Sequence, residues 1–245
     1  MNREEHLISD YDFQGGATLL VDKPKDWTSF DVVNKIRYTL RRRLGVKKIK
    51  VGHAGTLDPM ATGLLIICTG KATKTLGQLQ GLAKTYTGTM RFGACTPSYD
   101  AETEEEEHFP IDHITEELLN KVREQFLGEI EQVPPMFSAI KVDGQPLYKK
   151  ARQGEKLEIK ARDVHIFSFE FTRIELPEVD FAVHCSKGTY IRSLAHDVGK
   201  AAGSGAYLTA LRRTSIGPYS IEKAWELEKL VEELSEENEA ESGGE

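Results

Sequence analysis

The chain has 245 residues, 39% hydrophobic and 29% charged, an ordinary globular composition with enough apolar residues for a sizeable core in one large domain or two small ones. Three cysteines, Cys68, Cys95 and Cys185, are too few and too far apart for a disulfide framework or a zinc knuckle, and no apolar run approaches the roughly 20 residues of a membrane span. The formal net charge of -7 runs against a nucleic-acid partner, because phosphate binding depends on Lys and Arg displacing counterions.

The distribution of charge changes that reading. Glu222 to Glu245 holds ten acids against Lys223 and Lys229, and the body without that tail is at +1. Asp100 to Glu107 carries six acids, whereas Lys35 to Lys50 carries eight bases (Lys35, Arg37, Arg41, Arg42, Arg43, Lys47, Lys48 and Lys50) and no acid. Such segregation suits an anionic ligand on one face.

The N-terminus, MNREEHLISD, has neither a basic start followed by an apolar core nor a cleavage-type motif, and residues 1–17 are expected to be flexible. Thr18 to Val21 predicts a strand, and Asp22-Lys23-Pro24 a turn. Thr28, three before Asp31, has capping-box spacing, and Val32, Val33, Ile36 and Leu40 give the apolar stripe of a helix ended by Gly45. Cations at the end of that helix complement its dipole, but eight bases exceed what capping needs and point to RNA-backbone contact.

Val51 to Lys74, VGHAGTLDPMATGLLIICTGKATK, is the stretch in which chemistry shows before packing. Gly52 and Gly55 bracket His53, Asp58-Pro59 initiates a turn, and Leu64 to Cys68 has the length of a fully buried strand. From spacing alone this is a polar loop pinned to a core element, in which an Asp before Pro is usually a cap, though a metal ligand pair or a phosphate cradle is also compatible.

Thr73 to Leu82 predicts a second short helix, and Lys84 to Gly93 a strand with Tyr86, Gly88, Met90 and Phe92 on one face. Cys95 to Glu107 reads as an acidic loop, and Thr115 caps an amphipathic helix through Leu118, Leu119, Val122 and Phe126, stopped by Gly128. Phe137 to Val142 is strand-like, Asp143-Gly144 is a turn, and Pro146 opens a short basic helix to Gly154. On that helix Tyr148, Lys149, Lys150 and Arg152 form either a solvated face or a phosphate contact. Glu158 to Phe171 and Asp180 to Cys185 are strands joined through Pro177. Tyr190 opens a helix with Ile191, Leu194, Ala195 and Val198 inward, and Gly203 to Gly205 leads into a strand with Leu208 and Leu211. Ser220 starts a last helix to about Leu234, and residues 235–245 are too acidic and apolar-poor to fold.

The string around Asp58 resembles the GHxGxLDPxATGxL signature of the TruB family of tRNA pseudouridine synthases, in which the aspartate is catalytic. Tyr86 sits in a K-x-Y-x(4)-R-x-G string similar to the family's second motif, whose tyrosine packs on the flipped-out base. Gln132 to Gly154 resembles the QxPPxxSAxKxxGxxLYxxAR block, and residues 185–217 resemble a third block. The resemblance, over about residues 18 to 217, implies that Arg192 pairs with Asp58, that Tyr190 and Leu211 line the nucleotide pocket, and that His53 props the gap left by the extruded base. It implies an α+β pseudouridine synthase fold, with a central mixed, mostly antiparallel sheet flanked by helices and an active-site cleft across it. One catalytic domain over 18–234 would precede a disordered acidic tail, without the PUA-type C-terminal domain common in the family.

The implied substrate is the T-loop uridine of tRNA, position 55 in tRNA numbering. Its isomerisation gains and loses no electrons or groups, so no cofactor or metal is expected. A cytoplasmic monomer, with no guide RNA and no membrane partner, completes the expectation. The alternative is a non-catalytic RNA-binding or tRNA-folding protein on the same scaffold, against which Asp58, Tyr86 and Arg192 together weigh. A phosphate-binding enzyme is disfavoured because the glycine loop lacks a GK[ST] ending.

Overall fold

The computed structural model describes residues 8–138, 140–142, 144–153, 157 and 159–240. In chain order the elements are β1 (Thr18–Lys23), α1 (Ser29–Arg43), β2 (Val51–His53), β3 (Thr62–Thr69), α2 (Leu76–Gln80), β4 (Lys84–Phe92), α3 (Glu116–Glu124), β5 (Gly128–Gln132), α4 (Leu147–Arg152), β6 (Arg162–Glu175), β7 (Glu178–Cys185), α5 (Ile191–Ala201), β8 (Ala206–Ile216), β9 (Tyr219–Ser220), β10 (Trp225–Glu226) and α6 (Leu227–Ala240). These ten strands share one mixed sheet, and two short ladders, Ala94–Cys95 with Glu107–His108 and Lys141–Val142 with Gln145–Pro146, lie outside it. The chain divides into two compact units, residues 1–84 with 212–245, and residues 85–211.

In the first unit the strand order is β10-β1-β3-β8, with β2 on β3 and β9 on β8. β1 runs antiparallel to β3 from Thr18↔Cys68 to Lys23↔Gly63, whereas β10 on β1 and β8 on β3 are parallel pairs. Successive residues of β1 and β3 enter two cores. Leu19, Val21, Leu65 and Ile67 pack with Val32, Val33, Ile36 and Leu40 of α1 and Leu230 and Leu234 of α6, while Leu20, Leu64, Ile66 and Cys68 pack with Leu79 and Ile216. Burial on both faces explains why Leu64 to Cys68 reads as an unbroken apolar run instead of an alternating one. α1 begins as its sequence requires: the Thr28 hydroxyl accepts from the Asp31 N–H, and the Asp31 carboxylate accepts from the Thr28 N–H.

In the second unit the order is β8-β4-β7-β6-β5. β7 alternates cleanly, with Val179, Phe181, Val183 and Cys185 buried, and Phe169 of β6 meets Phe181 edge-on at 6.0 Å between ring centroids. The Thr115 hydroxyl caps α3 by accepting from the Leu118 N–H, and Leu119 and Val122 go inward. α5 buries Ile191, Leu194, Ala195 and Val198 as the spacing predicts.

Several expectations are corrected. Of the stretch 1–17 expected to be flexible, Ile8, Tyr11, Phe13 and Ala17 are buried in the core of the first unit, and the last helix runs past the expected end at Leu234 to Ala240. The turn after β1 comes later than Asp22-Lys23-Pro24, because both Asp22 and Lys23 are held in the ladder with β3. The last helix starts at Leu227, not Ser220. The Ser220 hydroxyl does accept an N–H, that of Glu222, but it caps only a single 3-10 turn, Ile221–Lys223, and the chain then adds β10 to the edge of β1 before turning helical. Of the strand expected over Phe137 to Val142, only Lys141–Val142 pairs among the described residues, and Phe137 and Ser138 lie in a bend instead. The expectations at Asp143, Gly154 and Glu158, and those on the side chains of Tyr148, Lys149 and Arg152, lie outside the described residues.

Candidate active site

In the first unit, residues 54–61 leave β2 and return as β3, with Asp58 half-buried between Leu57 and Pro59. The loop is fixed at each of its parts. The Ala54 N–H donates to the Ile66 carbonyl at 2.9 Å, and Ser29, the first residue of α1, both accepts from the Leu57 N–H and donates to the Leu57 carbonyl. The Ala61 N–H closes the Asp58-Pro59 turn onto the Asp58 carbonyl at 3.1 Å, and the Asp26 N–H donates to the Pro59 carbonyl at 2.8 Å. Asp26 takes φ +65°, a left-handed conformation that an aspartate tolerates better than most residues.

Two buried cations complete the frame, and the sequence reading missed both. Lys23 is fully buried, and its ammonium donates to the carbonyls of Pro24, Trp27 and Pro59. Burial pulls its pKa down to about 8, against the opposing pull of Asp58 and Asp26. Arg213 is 1% exposed and donates through Nη2 to the Gly55 carbonyl at 3.0 Å and through Nε to the Leu64 carbonyl at 2.8 Å. His53 is half-buried; burial and the Arg213 charge hold its imidazole below the usual range, opposed by the Gly55 backbone. Nothing in a local pattern announces a buried lysine at a strand end, and Asp22-Lys23-Pro24 reads as a turn instead.

In the second unit Tyr86 on β4 and Leu211 on β8 are both 8% exposed, and Tyr190 is the half-buried N-cap of α5. Arg192, in the first turn of that helix, is buried at 4% instead of lying idle on the surface. Its Nη1 donates to the Ser98 carbonyl at 2.9 Å, its Nη2 to the Phe137 carbonyl at 2.7 Å, and its Nε lies 3.5 Å from Asp100 Oδ2. Asp100 is itself fully buried, its Oδ1 accepting from the Ser98 hydroxyl and the Glu102 N–H. The acidic block of the sequence therefore divides into one buried counter-ion and a set of exposed glutamates. Gln132, 1% exposed at the end of β5, holds Tyr190 by both ends of its amide: Nε2 donates to the Tyr190 carbonyl at 3.0 Å, and Oε1 accepts its N–H at 2.7 Å.

Of the eight bases between Lys35 and Lys50, Arg37 and Arg43 are engaged with the Val51 carbonyl and with the Glu233 and Leu234 carbonyls of α6, respectively. Lys35, Arg41, Arg42, Lys47, Lys48 and Lys50 are exposed, together with Phe30 and Tyr38 on the same helix, and the Arg42 guanidinium lies 5.9 Å from the Tyr38 ring centroid. Exposed aromatics interleaved with cations are a surface suited to nucleic acid.

Residues 41–191 match the model of the TruB family pseudouridylate synthase (N terminal domain), and residues 192–243 that of the tRNA pseudouridylate synthase B C-terminal domain. The chain belongs to the TruB family. The second match carries family similarity past residue 217, where the sequence motifs stop, to the end of α6. Among similar TruB proteins, tRNA pseudouridine synthase B of Flavobacterium johnsoniae is 59% identical over 220 residues, 89% of this chain and 96% of that one. That of Phocaeicola vulgatus is 53% identical over 224 residues, 91% and 95% of the two chains. A solved structure, a Cbf5-Nop10-Gar1 complex, contains a chain that superposes with a TM-score of 0.68 at 31% identity over 95% of this chain, and this chain spans 58% of that one. The α+β fold is the pseudouridine synthase fold of that family.

Proposed function

We propose that this TruB-family isomerase converts the T-loop uridine of tRNA, position 55, to pseudouridine, with Asp58 as the reacting carboxylate. The observation that carries the reading is the loop itself. A half-buried aspartate stands inside GHAGTLDPMATG, a loop whose backbone at Leu57, Pro59 and Gly55 is held by Ser29, Lys23 and Arg213, buried polar groups that a surface turn does not need. Support also comes from relatives that carry the name tRNA pseudouridine synthase B over 95–96% of their length.

The reaction breaks the bond from N1 of uracil to C1′, turns the base while it stays bound, and joins C5 to C1′; C5 loses a proton and N1 gains one. Asp58 either attacks C1′ or removes a ribose proton, and both routes need it ionised and held still. Arg192 supplies the counter-charge. Tyr86 offers the base a stacking face, worth about 1–3 kcal/mol, which offsets part of the few kcal/mol that extrusion from the folded loop costs. Tyr190 and Leu211 close the pocket against water, and His53 fills the space the uridine leaves. The enzyme acts directly on tRNA without a guide RNA, in keeping with the closeness of its tRNA-named relatives against 31% identity to the Cbf5 chain. The cytoplasm is its compartment, in keeping with three free thiols.

Asp58→Asn keeps the shape of the loop and removes the charge. It is expected to bind a T-stem-loop RNA within about threefold of the wild type and to form no pseudouridine; product at the wild-type rate would remove Asp58 from the mechanism.

A further inference from the structure

Arg162 opens β6 directly opposite Gln132 in the antiparallel ladder with β5, so the two side chains emerge side by side on one face. Both converge on Tyr190. Gln132 clamps its backbone at two points, and the Arg162 guanidinium lies over its ring, 4.5 Å from the centroid. Stacking occupies only the flat face of a guanidinium. The Nε and Nη2 atoms of Arg162 are buried, and neither donates a hydrogen bond among the described residues, which also give the side chain no ion pair. The Arg213 guanidinium, by contrast, is spent on backbone carbonyls, and that of Arg192 on two carbonyls and the Asp100 carboxylate. Arg162 is half-buried as a whole, and two buried donors without acceptors on a cation are costly to keep in a folded chain unless an anion arrives to take them.

The Nε–Nη2 edge presents two parallel N–H bonds, the fork that matches two oxygens of one phosphate. A uracil carbonyl offers a single oxygen and would leave half the fork idle. We propose that Arg162 is a substrate-binding residue that grips one phosphate of the RNA backbone beside the extruded uridine, held flat on Tyr190 with its Nε–Nη2 edge closed to solvent until the RNA binds. This rests on the reading that Tyr190 borders the nucleotide pocket. It adds a phosphate contact beside Tyr190 in the second unit to those expected of the exposed cations of α1 and the loop after it.

The test uses T-stem-loop RNAs in which single phosphates around the target uridine are replaced by neutral methylphosphonates. With the wild type, one linkage should weaken binding about ten- to a hundredfold when neutralised, the usual range for a charge-assisted contact. Arg162→Gln should weaken binding of the unmodified RNA by a similar factor and lose nothing more at that linkage. Arg162→Lys, which keeps the charge but not the fork, should fall between them. The proposal is overturned if no single linkage matters to the wild type, or if the losses from Arg162→Gln and from every linkage multiply independently. The latter result would leave Arg162 as a prop for Tyr190. If the wild type forms no pseudouridine in the unmodified RNA, the functional reading fails and takes this one with it; pseudouridine formed with independent losses isolates the failure to Arg162.

Discussion

Asp100 shows most sharply what a single side chain contributes. It is fully buried, sits 3.5 Å from the Arg192 guanidinium and is itself held by Ser98 and the Glu102 backbone, so its charge has no solvent to fall back on. Asp100→Asn keeps the volume and leaves Arg192 short of a counter-ion. The loss of stability is expected to reach about 3 kcal/mol, as for other broken buried pairs, with isomerisation falling further than T-stem-loop binding. Urea melts and single-turnover assays on the same preparation check both. Lys23 makes a pH prediction. Its folded pKa, about 8, lies below the ordinary 10.5, so between those values the unfolded chain binds more protons than the folded one and stability rises with pH. The cost of burying the ammonium is fully present below about pH 8 and is relieved above it. Relative to Lys23→Met, the wild type should therefore gain stability as pH rises through the folded pKa toward the unfolded one in paired urea melts, and a flat difference would contradict the burial account.

Legibility at this scale is uneven for a physical reason. Asp58, Tyr86 and Arg192 stand out because they lie inside long motif strings, whereas Asp100, Gln132, Lys23 and Arg213 act through partners far away in the chain, such as the Pro59 carbonyl for Lys23 and the Gly55 carbonyl for Arg213. No window of sequence contains both ends of such a bond. An arginine one turn into a helix reads as a surface residue, and the burial of Arg192 is what a one-helix view of α5 cannot supply.

Elements are read better, because helices and strands carry their instructions locally. The Thr28–Asp31 box, the α1 stripe and the alternation in β4 and β7 all stand where the residues put them. Misreadings fall where a distant strand decides the outcome, as when β3 keeps Asp22 and Lys23 extended, or when the edge of β1 recruits Trp225–Glu226. Two glycines make the point testable. Gly63, φ +106°, lies on β3 against β8, and a Cβ there would come 2.3 Å from the Arg213 carbonyl oxygen. Gly77 lies in α2, and a Cβ added to it would meet nothing within 4 Å. Gly63→Ala should destabilise by about 2 kcal/mol or more through the clash and the left-handed backbone, while Gly77→Ala should stabilise by roughly 0.5–1 kcal/mol from helix propensity alone. Thermal melts of the two variants should move in opposite directions.

For the molecule as a whole, net charge misleads and its segregation informs. The -7 total is set by the C-terminal run of glutamates, while six cations between Lys35 and Lys50 remain exposed beside Phe30 and Tyr38. If these cations neutralise phosphates, affinity for a T-stem-loop should fall steeply with salt. Replacing both Lys47 and Lys48 by Ala should then reduce the slope of log K against log salt by about one for each phosphate left without its lysine. A slope unchanged by both substitutions would move the RNA elsewhere on the protein. The family's chemistry and its RNA-binding surface are separable, and only the chemistry distinguishes an enzyme from a tRNA-folding scaffold.

That distinction is open to one measurement. A T-stem-loop transcript carrying tritium at C5 of its uridines loses the label to water only when C5 is joined to C1′ and its proton leaves. The wild-type protein should release one equivalent of tritium per target uridine, and Asp58→Asn should bind the same RNA and release none. Tight binding by the wild type with no tritium release would contradict the account and leave a scaffold that holds tRNA without isomerising it.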